Sequence, residues 1–243
     1  VMMHRFTNGQ LMGGQEADST NSVFQHEVDF IHSTPALLYI EIALWGSIGF
    51  HAVLGILYMI GWAPNNIHYA YKDNWRYTMQ RVTAWPALIF IFLHVATLRW
   101  RWDLFGWFTP FYHEAHDTGV PMSLPLTAYA LQYHWLVVAL YIVGVLSVIY
   151  HWSNGLWTAA ISWGLTISTA SMRRWGYVCA AMGVFLTLSF GGAMYGALTF
   201  DLHEDTQPGQ REALKQIIPG WDTGGDSTAE QPEPSHTPAG QGH

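Results

Sequence analysis

The sequence predicts an all-α membrane protein, a bundle of five transmembrane helices with the first one truncated. Three observations predict it. Half of the 243 residues are hydrophobic and only 11% are charged, against about 25% in an ordinary soluble domain. Four long stretches are nearly free of Asp, Glu, Lys and Arg, and about 20 apolar residues suffice to cross the hydrocarbon as a helix. Aromatic residues make up 15% of the chain, 13 of them Trp, as suits rings seated at the headgroup level. The few, scattered cations exclude a nucleic-acid footprint. Cys179 is the single cysteine, so a disulfide scaffold is excluded as well.

Residues 1–8 read as the end of a truncated first helix, because the polar stretch from Asn8 to Gln25 follows them as a loop follows a span. A soluble lead-in is the alternative. Residues 9–35 are then an outer loop. The second span covers about residues 36–62 and carries one acid, Glu41; the third covers about 77–101, around the charge-free run Val82 to Leu98. Thr118 to Met172 holds no charged residue in 55 positions. Pro121 and Pro125 mark its first part as a loop, which leaves a fourth span over about 132–164. At roughly 48 Å that span exceeds a plain crossing, so it tilts, projects, or breaks at Ser153-Asn154-Gly155; a single long helix fits the unbroken apolar period better. The fifth span covers about 173–200. The tail, residues 201–243, has 8 acids and 2 bases and accounts for most of the net charge of −7. Its Pro, Gly and acid content predicts disorder.

Cationic loops stay on the cytoplasmic side of a membrane. Lys72, Arg76 and Arg81 in one connection and Arg173 and Arg174 in another face mostly no acids, whereas the opposite side is rich in them, with Glu16, Asp18, Glu27, Asp29, Asp103, Glu114 and Asp117. This predicts a multi-pass protein of a cytoplasmic membrane with its amino terminus inside and its tail outside.

Ionisable residues at membrane depth are functional candidates, and His51, His94 and His151 lie there. His51 sits about 22 Å into an inward-running helix, and His151 is at a similar depth on the other inward-running helix. His94 falls in the outer half, where His4, at the outer end of the first helix, supplies a partner. The inner pair shares a pattern: Ser47-x3-His51-x3-Gly55 and Ser147-x3-His151-x3-Gly155. Residues four apart share a helix face, so Ser47, Gly55, Ser147 and Gly155 would clear a flat slot beside each imidazole. Two imidazoles from facing helices are an axial ligand set for haem iron. The alternative is close helix packing through small residues, with each histidine a helix–helix hydrogen bond.

Asn74-Trp75, Gln80-Arg81-Val82-Thr83, His94 followed by Arg99, and the run from Tyr141-Ile142-Val143-Gly144 through His151-Trp152-Ser153-Asn154-Gly155-Leu156-Trp157 to Ser162-Trp163-Gly164 resemble the di-haem cytochrome b anchor of succinate dehydrogenases, the succinate:menaquinone reductase and fumarate reductase family. The resemblance covers about Phe24 to Met172. It implies a five-helix bundle with two b haems between the helices: His51 and His151 on the inner iron, His94 and, through a short His-x3-Asn echo ending in Asn8, His4 on the outer. It implies haem contacts for Gln80 and Arg81. It also implies a flavoprotein subunit that oxidises succinate, an iron–sulfur subunit that relays electrons, and menaquinone as their acceptor near the outer side. The chain would thus be an enzyme subunit whose succinate site lies on a partner. Glu41, the one acid within a span, is a candidate proton relay for that quinone, the alternative being an ion pair with Arg99. A fumarate reductase anchor and a haem-free membrane scaffold are the other readings.

Overall fold

A computed structural model of the chain describes residues 37–66, 68–100, 122–206 and 208–218, together with Phe30, Pro35, Trp102, Val120 and Trp221. The expectations placed on residues 1–29, His4 among them, and on 222–243 lie outside the described residues. All regular structure among the described residues is helical: α1 (Leu37–Met59), α2 (Lys72–Val82), α3 (Ala84–Leu98), α4 (Ser123–Tyr133), α5 (Trp135–Ser162), α6 (Thr169–Thr199) and α7 (Pro208–Ile217). Among the described residues, four helical stretches are long and apolar enough to cross a membrane: α1, α2 with α3 as one run, α5 and α6.

Local chemistry explains where these helices start and stop. Pro86 has no N–H to give to the Val82 carbonyl, and the α2–α3 run is interrupted at Thr83. His134 adopts an extended backbone and its Nδ1 accepts from the Leu136 N–H at 3.1 Å, which caps α5. α5 runs unbroken through Ser153-Asn154-Gly155 for 28 residues, about 42 Å at 1.5 Å per residue. It ends at Gly164, whose φ of +72° favours glycine. There the Leu165 and Gly164 N–H groups reach back to the Ala160 and Ile161 carbonyls and satisfy two of the groups a helix end leaves bare. α6 opens with a reciprocal Ser168/Ser171 capping box.

Two features depart from the sequence reading. Pro125 lies in the first turn of α4 rather than in a loop, a place where a missing N–H breaks no helical bond. The tail is not wholly disordered: α7 folds back, with Ala213, Leu214, Ile218 and Trp221 packed against Met122 and Leu126. The apolar spacing of that short segment is averaged away in the composition of all 43 residues.

α3, α5 and α6 form the packed centre. Gly144 of α5 receives the Phe90 ring so closely that a Cβ there would overlap it, and a Cβ at Gly183 of α6 would come 3.0 Å from Ser153 Oγ. Backbones without side chains let helices approach closely in a bilayer, where the lipid supplies no hydrophobic drive. Near one end, Gln132 donates to the Ala197 and Phe200 carbonyls at 2.9 and 3.0 Å, closing the terminus of α6. α1 has no buried residue. It is tied to the centre by the Glu41–Arg99 ion pair, a Trp45–Trp100 ring contact at 5.6 Å and the approach of His51 to His151.

Candidate functional site

The segments that hold polar residues at depth put them at two levels along α5. At one level His51 of α1 meets His151 of α5, with ring centroids 6.1 Å apart and ring planes at 82°. Nitrogen–metal bonds of about 2.0–2.1 Å on either side of one ion, plus half of each ring, place two centroids roughly 6 Å apart. The pair therefore has the span of an axial ligand set. Among the described residues no three His, Cys, Asp or Glu side chains come together as a metal site, so paired imidazole is the donor chemistry present.

The His151 ring is held from behind. Its Nδ1 lies 3.0 Å from the Gln80 carbonyl oxygen. A carbonyl only accepts, so this bond requires the proton on Nδ1 and leaves the Nε2 lone pair for a ligand bond, as metal-bound histidines generally arrange it. The Gln80 side chain completes the contact by donating from Nε2 to the His151 carbonyl at 3.0 Å. Gly155 is what admits that amide, since a Cβ there would stand 3.3 Å from Gln80 Nε2. Gly155 therefore lies directly beside the Gln80 amide. Ser147 is buried, Ser47 donates to the Ala43 carbonyl at 2.7 Å, and Gly55 has nothing within 4 Å of where a Cβ would be.

Arg81 does not join this contact. Its guanidinium lies over the Tyr77 ring at 3.5 Å and within 5.9 Å of the Trp62 ring. Trp62 is part of the wall of a cleft of about 450 Å³ between α1 and the α2–α3 run, lined also by Ile56, Met59, Ile60, Val82 and Trp85. The cleft is apolar and begins about one turn beyond His51, at Ile56.

At the second level, ten positions earlier on α5 and thus about 15 Å along the axis, Tyr141 faces His94 of α3. The His94 Nδ1 and Tyr141 hydroxyl are 3.2 Å apart, and Phe90 stacks on the His94 ring at 5.5 Å. Towards the same end, Glu41 is clamped by Arg99, whose Nε and Nη2 donate to its two carboxylate oxygens at 2.8 and 3.0 Å. Of the two roles open to Glu41, the ion pair is the one the geometry displays.

Two participants, Tyr141 and Asn154, escape the sequence reading, and Arg76, read there as a cation of the cytoplasmic loop, is found bonded to Asn154. Asn154 was readable, because an amide three residues after His151 on an apolar helix shares its face. Tyr141 and Arg76 depend on the pairing of helices 47 and 78 residues apart, which no local pattern encodes.

No family model and no solved structure matches the chain. Among curated proteins, the succinate dehydrogenase cytochrome b558 subunit of Bacillus subtilis (strain 168) is 33% identical over 194 residues, 79% of this chain and 84% of that protein.

Proposed function

Because the chain belongs to the family of succinate dehydrogenase cytochrome b subunits, we propose that it is the prokaryotic membrane anchor of a succinate:menaquinone reductase, carrying two b haems. His51 and His151 would hold one, and His94 with His4 the other, within a bundle of five helices. Bound there, haem supplies a one-electron carrier in the hydrocarbon, where protein side chains offer none. The flavoprotein and iron–sulfur subunits are the partners on the cytoplasmic side, marked by Lys72, Arg76, Arg173 and Arg174. Menaquinone is the substrate at the opposite end, and succinate oxidation is the working direction. The amino terminus lies inside and the tail outside.

The observation that carries this reading is the His51–His151 pair. Two imidazoles from separate helices come together with ring centroids 6.1 Å apart, and one of them is fixed by Gln80 in the tautomer that leaves Nε2 for a ligand. Gln80 orients, and Arg81 offers a cation beside Trp62.

The direct test is a reduced-minus-oxidised spectrum of the purified chain with haem counted per polypeptide. The expected result is a sharp α band and two haems. A colourless preparation overturns the reading in favour of a haem-free scaffold, and a count of one removes the His4 site.

A further inference from the structure

We propose that Arg76 and Asn154, acting through Gln80, are positioning residues that fix the tautomer and orientation of the His151 imidazole. The inference deepens the functional reading above and rests on it.

The three side chains form a series of hydrogen bonds with a defined direction. Arg76 Nε donates to Asn154 Oδ1 at 2.9 Å, Asn154 Nδ2 donates to Gln80 Oε1 at 2.8 Å, and Gln80 Nε2 donates to the His151 carbonyl at 3.0 Å. A guanidinium has donors only. It therefore compels Asn154 to present its oxygen, which turns the Asn154 NH2 to Gln80, which turns the Gln80 NH2 to His151. Flipping either amide sets donor against donor and acceptor against acceptor inside a buried segment, Asn154 being 5% exposed. The cation at the start thus sets the polarity of every later bond.

Both ends of the series are anchored. The Arg76 guanidinium stacks on the Trp157 ring at 3.6 Å, and Trp157 Nε1 donates to the Met172 carbonyl at 3.0 Å. At the other end, the Gln80 carbonyl that faces His151 Nδ1 lies just before the interruption at Thr83. Held by its side chain on one side of His151 and its backbone on the other, Gln80 is clamped to one turn of α5. The imidazole is then presented with Nδ1 toward the Gln80 carbonyl of α2. Partners of this kind typically change metal affinity or activity 10–100-fold when removed.

The test compares Asn154→Leu, Arg76→Met and Arg76→Lys with the wild type in the assembled complex, reading haem content, the low-spin electron paramagnetic resonance signals and the midpoint potential of each haem. The haem assigned to His51 and His151 should remain bound in all, with its resonance signal displaced in Asn154→Leu and Arg76→Met. Its reduced-to-oxidised ratio at a fixed ambient potential should change about tenfold, or 59 mV for one electron. The haem assigned to His94 should not change. Arg76→Lys, which keeps a cationic donor, should restore most of the wild-type signal. If Asn154→Leu does not assemble, the two Arg76 variants decide the matter alone.

Unshifted signals in haem-replete variants overturn the inference and leave the functional reading standing. Equal disturbance of both haems also overturns it, since that marks a general packing role. A wild-type complex without haem overturns the functional reading and this inference with it.

Discussion

At Gly144 a single missing side chain decides whether two helices can meet. The Phe90 ring fills the place a Cβ would take, so Gly144→Leu forces α3 away from α5 or pushes Phe90 off its rotamer, an overpacking cost of typically 1–3 kcal/mol. Thermal unfolding in detergent should show the loss, and adding Phe90→Ala should recover part of it. No recovery in the double variant would mean that the contact is not what Gly144 accommodates. Glu41 gives a second residue-scale expectation. Its carboxylate is paired with Arg99 between the ends of α1 and α3, so Glu41→Gln, whose amide oxygen can still accept from the guanidinium, should leave quinone reduction within about twofold. A tenfold loss with both haems intact would restore the proton-relay role.

At the scale of the element, α7 shares a small core with α4. Leu214 is fully buried between α7 and α4, and replacing a buried Leu by Ala costs about 2–5 kcal/mol. An element of ten residues cannot absorb that. Leu214→Ala should therefore expose the tail to limited proteolysis near Asp205 while α5 and α6 stay protected; an unchanged cleavage pattern would show that α7 is held by something else.

The spans are legible in the sequence because charge is costly in lipid, and an uncharged run as long as Trp175 to Phe200 is rare outside a bilayer. The histidines are legible for the same reason. What cannot be read are the pairings across helices. Gly155 reads equally as clearance for a flat ligand or for a neighbour's side chain, and only the register of α2 against α5 shows that Gln80 occupies it. Glu41 likewise has two readings until the end of α3 is placed beside it. Pro125 misleads because the same residue serves a loop and the first turn of a helix.

For the whole molecule, the proposed function makes the two levels on α5 a route across the membrane. On that proposal, with the Lys72 loop in the cytoplasm, electrons that enter on its side and leave near His94 would run from the negative to the positive face. The potential assists them by about 2.3 kcal/mol per charge per 100 mV. Succinate oxidation by a low-potential quinone should therefore draw on the membrane potential, and an uncoupler should slow succinate-dependent respiration in intact cells several-fold. Insensitivity would place both ends of the route on one face.

The most direct measurement is the haem content of the purified wild type beside His51→Leu and His151→Leu. Two haems in the wild type, and loss of the same one from either variant with the other spectrum preserved, is the predicted result. Variants that keep the full wild-type absorbance, or lose different haems, would contradict the joint binding of one iron by these two side chains.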